Sequence, residues 1–282
     1  MKTTNVTKKF VEMGAEVRFG EMPTPRWAAR ATRARVRDDR PPFTLDVKTE
    51  KQGQIFEILV HPDHPSALTF EVLDIAPGDR HLLLGARWSG PKTEILDRFL
   101  CGHDERFWFA AAVPGSPSSV AAAKEALKPT VARESQVSHR VKTKHRNRRK
   151  NAGFVRQGEW FFIPALDLDV PDILILHKEP LRRGRGKPHM AEFIYRRGGT
   201  NVHVCDEYPT GLTDREYREL VRHDPAKKNL SWRQMARDPE AYAKGRITHP
   251  DHKTVILPFW HRVVPNRESE SRTGSVSLVF LD

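Results

Sequence analysis

The chain has few of the features that place a protein in a membrane or outside the cell. Its 282 residues include only two cysteines, Cys101 and Cys205, so it cannot build a disulfide framework and fits a reducing compartment. No apolar run approaches the roughly 18 to 20 residues that cross a bilayer, and the first residues lack the apolar stretch of a secretory signal. The sequence therefore predicts a cytoplasmic protein without a membrane partner.

The chain also lacks the short motifs that identify common enzyme classes. It contains no Walker loop, no Gly-x-Gly-x-x-Gly, no Gly-x-Ser-x-Gly, no His-Glu-x-x-His and no kinase signature. The sequence identifies no reaction, and it favours a binding protein over an enzyme.

A 24-residue run, 135–158, contains no Asp or Glu, and it holds eight of the basic residues. They are Arg140, Lys142, Lys144, Arg146, Arg148, Arg149, Lys150 and Arg156. This basic run carries +8 of the formal net charge of +12. A second basic stretch, 180–191, carries the other +4 through Arg182, Arg183, Arg185 and Lys187. Charge concentrated in this way predicts a polyanion-binding surface.

Nucleic acid, RNA or DNA, is the partner that this pattern favours. Each cation that neutralises a phosphate releases counterions, and Arg can also pair bidentately with phosphate and stack on bases. Four aromatic residues at and just after the end of the run are either core residues or a stacking platform: Phe154, Trp160, Phe161 and Phe162. Two other interpretations of the run stay open: a solvated linker, and a surface that docks an acidic protein in a larger assembly.

Short runs with β character, each followed by turn residues, recur along the chain. They predict strands at 44–47, 55–60, 67–73, 81–88, 99–101, 107–113, 172–177, 190–196, 201–205, 255–260 and 276–281. The aromatic-rich segment 154–164 predicts either a strand or a hairpin. Helices are predicted at 119–127 after the cap Ser118, at 214–222 after the capping box of Thr213 and Glu216, and at 232–237 after that of Ser231 and Gln234. Residues 197–199 predict a hairpin turn between two of the strands. The predicted fold class is α+β, β-dominated, with mostly antiparallel sheets and a few short helices.

The predicted organisation has four parts. Residues 1–42 form an Arg- and Pro-rich arm, 43–128 a β-rich domain ending in a short helix, 129–153 a basic linker, and 154–282 a second α+β domain. The linker is predicted because no Leu, Ile, Phe or Trp occurs between Ala132 and Gly153, so this part cannot fold on a core of its own.

The tetrapeptide His-Pro-Asp-His occurs at 61–64 and again at 249–252. A Pro-Asp pair suits the middle of a type I turn, so both copies predict turns. The alternative makes His249, Asp251, His252 and the downstream His261 a metal or acid–base site, in which case the protein is a metal-dependent nuclease or phosphodiesterase.

Two Cys/His pairs have i, i+2 spacing: Cys101 with His103, and His203 with Cys205. Residues two apart on a strand point to the same face, so each pair offers two ligands. Together they would make a Cys₂His₂ set for zinc or another divalent metal, although zinc sites normally use wider spacing. The sequence predicts no cofactor, and such a metal is an alternative only.

Overall fold

The computed structural model describes residues 4–22, 42–61, 68–89, 93–183 and 187–270, with side chains up to Glu268. The chain divides into two compact units. Unit 1 comprises Met1–Pro129 and Asn266–Ser275, and unit 2 comprises Thr130–Pro265 and Val276–Asp282. No helix in the described part of the chain is long and apolar enough to cross a membrane.

Unit 1 begins with helix α1 (Thr4–Glu12) and strand β1 (Val17–Glu21). Strands β2 (Phe43–Glu50) and β3 (Gly53–Val60) complete a three-stranded sheet in the order β1-β3-β2, in which β1 is parallel to β3. Strands β4 (Leu68–Ala76), β5 (His81–Ser89), β6 (Glu94–Asp104) and β7 (Phe107–Ala112) form an antiparallel meander. Helix α2 (Val120–Leu127) follows, and its cap is Ser119, one residue after the predicted cap Ser118.

The prediction of a peripheral N-terminal arm is wrong for the start of the chain. Helix α1 buries Val6 and Phe10, and the Phe10 ring lies 5.0 Å from that of Phe56 on β3. Two apolar side chains four residues apart share one helix face, which is enough to dock a nine-residue helix on a core. The arginine-rich part around Trp27 lies outside the described residues.

A residue that follows Thr130–Pro265 in the chain contributes to unit 1. The Glu268 carboxylate accepts a hydrogen bond of 3.2 Å from the backbone N–H of Ala112, at the end of β7. Unit 1 is therefore built from two stretches of chain on either side of Thr130–Pro265.

Unit 2 contains a seven-stranded sheet in the order β11-β12-β16-β17-β10-β9-β8 and a three-stranded sheet in the order β14-β13-β15. The strands are β8 (Lys150–Asn151), β9 (Phe154–Gln157), β10 (Trp160–Pro164), β11 (Leu176–Leu181), β12 (His189–Arg197), β13 (Thr200–Cys205), β14 (Tyr208–Thr213), β15 (Arg233–Arg237), β16 (Glu240–His249) and β17 (His252–Pro265). Helices α3 (Thr130–Ser138) and α4 (Asp214–His223) complete the unit, and the predicted capping box opens α4. The fold class is α+β, β-dominated, as predicted.

Three local predictions in unit 2 are wrong. Residues 233–237 form strand β15 rather than a helix, because the segment pairs with β13 along its length. Residues 197–199 do not close a hairpin: Gly198 and Gly199, both with positive φ, lead the chain from the larger sheet into the smaller one. The start of the segment 172–177 is a 3₁₀ turn, Asp172–Leu174, before β11. The predicted strand 276–281 lies outside the described residues.

The larger sheet curls so that its distant strands meet. The side-chain amide of Gln157, at the end of β9, donates to the carbonyl oxygens of Ile247 on β16 and Lys253 on β17, at 3.3 and 2.6 Å. The core of this unit lies in the curl, and Trp160, Phe162 and other apolar residues of β10, β12, β16 and β17 fill it. This curvature brings the turn after β9 to the end of the β16–β17 hairpin.

A half-buried histidine in unit 1 predicts acid sensitivity. His81 contacts the carbonyl oxygen of Asp79 at 2.5 Å, and burial, assisted by the charge of Lys124, lowers its pKa from 6.5 to about 4. The unfolded chain therefore binds more protons between pH 6.5 and about pH 4, so the stabilisation is complete above pH 6.5 and is lost as the pH falls. Going from about pH 7 to about pH 5 should cost about 2 kcal/mol of unfolding free energy through this group.

The test is denaturant unfolding of the wild type and of His81→Asn, whose amide can keep the bond to Asp79. The variant should lose less stability on acidification. Equal losses in both proteins would show that His81 does not carry the effect.

Candidate functional site

The basic run belongs to an ordered part of unit 2. It begins within α3, continues through a 3₁₀ turn at Thr143–His145 and ends in β8 and β9. Helix α3 packs its buried Ala132 against Phe154 of β9 and Phe161 of β10. Residues 139–150, called here the basic loop, thus connect a helix and a strand that share one small hydrophobic cluster. The segment needs no core of its own because it uses that of the following strands.

Gln136 of α3 fixes the path of the basic loop. Its side chain is 2% exposed and donates to the carbonyl oxygen of Arg146 at 2.7 Å, while its backbone carbonyl accepts from the N–H of Val141. A Cβ on Gly153 would lie 2.7 Å from the backbone nitrogen of Gln136, so only glycine allows this approach. The loop therefore has a defined shape rather than the extended form of a linker.

The basic loop presents cations to solvent. Five of its basic side chains are exposed and form no ion pair with a described residue. These five, the exposed cations of the loop, are Arg140, Lys142, Lys144, Arg148 and Lys150. Arg146, Arg149 and Arg156 are half-buried, and Arg146 and Arg156 donate to the carbonyl oxygens of Val141 and Gly158. The loop thus offers anions a positive surface without competing carboxylates.

The second basic stretch lies between β11 and β12. Arg182 is exposed, Arg183 is half-buried, and Arg185 lies outside the described residues. Lys187 forms an ion pair with Asp251 at 3.0 Å, so its charge is already compensated. This stretch offers fewer available cations than its composition predicts.

Three histidines converge at the end of the curled sheet. His189 begins β12, His249 ends β16 and His252 begins β17, where His249 and His252 face each other across the turn. One ligand atom from each lies within 4.8 Å of the other two. Their ring centroids are 4.2 Å apart for His189 and His249, 5.4 Å for His189 and His252, and 4.8 Å for His249 and His252. We call this group the three-histidine cluster.

His189 is the buried member of the cluster. It is 1% exposed, and neither of its ring nitrogens makes a hydrogen bond with any residue that the structure describes. Burial, with smaller contributions from the nearby His249 and His252, lowers its pKa to about 3. His189 is therefore neutral at physiological pH, and it has a ring nitrogen available as an acceptor or ligand.

His249 has a defined hydrogen-bond arrangement. Its Nδ1 accepts from the backbone N–H of Asp251 at 3.1 Å, and its Nε2 lies 3.2 Å from the carbonyl oxygen of Lys187. An Nδ1 that accepts leaves the proton on Nε2, which then donates to Lys187. These bonds hold the ring beside His189.

The catalytic set predicted from the sequence is only partly assembled. His249 and His252 come together, but Asp251 pairs with Lys187. His261 pairs with Ala243, six residues before His249 on β16, which places it roughly 20 Å along the strand from the cluster. Its ring is buried, contacts the Phe259 carbonyl oxygen at 2.8 Å and stacks on the Phe259 ring. His261 is a structural residue of β17.

The two Cys/His pairs belong to different units. Cys101 is fully buried in the core of unit 1, where burial raises the pKa of its thiol, and His103 packs edge-on against Trp108. In unit 2, His203 contacts Asp214 at 2.5 Å and stacks on Tyr217, while Cys205 is buried beyond an irregularity in the β13–β14 pairing. Neither pair belongs to the group of candidate metal ligands among the described residues.

The four aromatic side chains at and just after the end of the basic run belong to the hydrophobic core. Phe154, Trp160, Phe161 and Phe162 are 2%, 4%, 4% and 0% exposed, so none can stack on a base in this conformation.

Comparisons of the chain with protein-family models, with curated proteins and with solved structures gave no match.

Sequence reasoning did not identify His189 as a site residue. It is 60 residues from His249 in the chain and has no local spacing that marks it as a ligand. The antiparallel pairing of β12 with β16 brings the start of one strand to the end of the other. The only signal was its position after Pro188, at the start of an alternating strand.

Proposed function

We propose that the protein binds nucleic acid, RNA or DNA, through phosphate contacts made by the basic loop of unit 2. The observation that carries the proposal is the set of five exposed cations on an ordered loop, none of which is paired with a described carboxylate. A cation already paired with a carboxylate must give up that partner to bind phosphate, and these five need not. Two buried free thiols fit action in the cytoplasm, which is part of the proposal.

The shape of the loop supports the same proposal. A flexible basic linker loses conformational entropy when it binds and becomes ordered. A loop that Gln136 and Gly153 already hold in place loses less. Phosphate contacts alone carry no sequence information, so the expected binding has little base preference.

The direct test is a salt titration of binding, followed by fluorescence anisotropy of a labelled single strand and a labelled duplex. If all five exposed cations neutralise a phosphate, the slope of log K against log salt is about −3.5 for the single strand and about −4.5 for the duplex. Raising the salt from about 50 mM to about 200 mM then weakens binding by about 100-fold to 500-fold.

Two outcomes would contradict the proposal: no binding at the lowest salt, or binding whose affinity does not change with salt. Retention of an acidic protein, with no affinity for either nucleic acid, would favour the adaptor interpretation instead.

The second candidate is a metal-dependent phosphodiesterase, and one observation favours it. His249 and His252 lie together with a third imidazole, as a metal site requires. The predicted catalytic Asp251 is paired with Lys187, however, and His261 lies elsewhere on β17. Cleavage of the labelled strand in added Zn²⁺ or Mn²⁺, abolished by His252→Ala, would support this candidate, and its absence would leave the binding function.

A further inference from the structure

We propose that the three-histidine cluster binds one divalent transition-metal ion, with Zn²⁺ the best match to its ligands. Three imidazoles meet there with ligand atoms within 4.8 Å of one another. His189, at 1% exposure, has no hydrogen bond to either ring nitrogen from the described residues. A buried polar group without a partner is costly, and a metal ion at this position would satisfy one of those nitrogens.

The size of the cluster fits a tetrahedral ion. Zn–N bonds of about 2.0 to 2.1 Å place the ligand nitrogens about 3.3 Å apart and the imidazole centroids about 5 Å apart. The observed centroid separations, 4.2, 4.8 and 5.4 Å, bracket that value. The planes of the three rings lie within 32° of parallel. The lone pair that binds a metal lies in the plane of its ring, so stacked rings cannot all direct a lone pair at one ion. Binding therefore requires rotation of the side chains, with no change in strand pairing.

The backbone already holds the three residues in place. His249 and His252 are opposite partners at the end of the β16–β17 hairpin, and the adjacent β12 supplies His189. The contact between His249 Nε2 and the Lys187 carbonyl oxygen is the kind of second bond that orients a metal-ligating histidine. If His249 coordinates the ion through Nδ1, its Nε2 keeps the bond to the Lys187 carbonyl oxygen. The metal then replaces the backbone N–H of Asp251 as the partner of Nδ1.

Gly158 leaves space beside two of the rings. A Cβ at this position would lie 2.8 Å from Nε2 of His252 and 3.2 Å from Nε2 of His189. The two Nε2 atoms therefore converge on one spot over the glycine. A methyl group there would occupy the space that an ion needs.

The ligand set predicts which metals bind. Imidazole nitrogen suits Zn²⁺, Co²⁺, Ni²⁺ and Cu²⁺, whereas Mg²⁺ and Ca²⁺ require oxygen ligands. The nearby carboxylate of Asp251 is engaged with Lys187. With three protein ligands, the fourth position of a tetrahedral ion is open to water, as in catalytic rather than structural zinc sites.

The test uses the full chain, treated with chelator and dialysed, with Zn²⁺ and Mg²⁺ as separate probes in isothermal titration calorimetry. We expect one Zn²⁺ per chain, no Mg²⁺ binding, and a melting temperature that rises with Zn²⁺ concentration. His252→Ala removes one of three ligands and should weaken Zn²⁺ binding by at least about 100-fold, the upper range for loss of an outer-shell partner. His223→Ala, at an exposed histidine of α4, is the control for surface binding and should leave the affinity unchanged.

A second pair of variants keeps every ligand in the chain. Gly158→Ala should also abolish Zn²⁺ binding, because its methyl group fills the converging space. Gly198→Ala is its matched control, since Gly198 has a similar positive φ but nothing within 4 Å of an added Cβ. The control should bind Zn²⁺ as the wild type does, because it carries the same backbone strain without the obstruction.

The proposal is overturned if the wild type takes up less than about a tenth of an equivalent of Zn²⁺. It is also overturned if both His252→Ala and Gly158→Ala bind Zn²⁺ as tightly as the wild type. Nucleic-acid binding is measured separately on the basic loop, so either proposal can fail while the other holds.

Discussion

Neutralising four of the five exposed cations of the basic loop is expected to lower nucleic-acid affinity by about three powers of ten near 0.1 M salt. The substitutions are Lys142→Gln, Lys144→Gln, Arg148→Gln and Lys150→Gln. Each removes one phosphate contact, so the slope of log K against log salt should become shallower by about 0.7 to 0.9 per substitution. Anisotropy titrations at several salt concentrations measure both quantities. The loss should be similar for all base sequences.

The control separates a local surface from net charge. Arg218→Gln, Arg222→Gln, Lys228→Gln and Arg233→Gln remove the same charge from exposed positions elsewhere in unit 2. This variant should keep most of its affinity and its salt slope. Equal losses in the two variants would mean that the protein binds by overall charge and that the basic loop is not the binding surface.

Replacing Phe154 with alanine is expected to destabilise unit 2 by about 3 to 5 kcal/mol, the usual cost of truncating a buried aromatic residue. Phe154 is 2% exposed, its ring lies 4.9 Å from that of Phe161, and both pack against α3. The cavity should therefore loosen α3 and the basic loop first. Denaturant unfolding measures the total loss, and hydrogen exchange of the 130–157 amides measures the local one.

Phe259→Ala is the comparison for this experiment. Phe259 is 37% exposed on β17, so its truncation should cost about 1 kcal/mol or less. Faster exchange in 130–157 is expected for the Phe154 variant alone. If that variant exchanges and unfolds as the wild type does, the hydrophobic cluster does not anchor the loop.

The sequence predicts local structure well where the signal is local. The capping box at Thr213 and Glu216 marks the start of α4, and the predicted cap Ser118 marks the start of α2 to within one residue. Short runs with β character similarly mark β2 to β7, β9, β10, β12, β13 and β17, whereas β1 and β14 have no predicted counterpart. These signals depend on residues within one or two turns of each other, so one stretch of chain is enough to read them.

The errors occur where contacts distant in sequence decide the outcome. Residues 233–237 have a capping signal for a helix but pair with β13, whose edge offers backbone partners along the whole segment. The basic run has no large apolar residues, yet it is ordered because Ala132 and Phe154 meet across it. Neither contact can be predicted from secondary-structure propensity or from composition.

The candidate metal site shows the same limit. His249 and His252 stand in one tetrapeptide, so the sequence alone groups them, whereas His189 reaches them only through the pairing of β12 with β16. His261, close to them in the chain, is separated from them by the length of β17. A short distance in the sequence therefore does not predict a short distance in space within this sheet.

The hydrogen bond from the Ala112 backbone N–H to the Glu268 carboxylate can form only late in synthesis of the chain. When the ribosome has finished β7 and α2, the carboxylate that closes this part of unit 1 has not yet been translated. Residues 130–265 must emerge first, so they can begin to fold while unit 1 still lacks a partner for the Ala112 amide. An N-terminal fragment ending at Pro129 would leave that amide to water, so unit 1 can make this contact only after residues 130–265 have been translated.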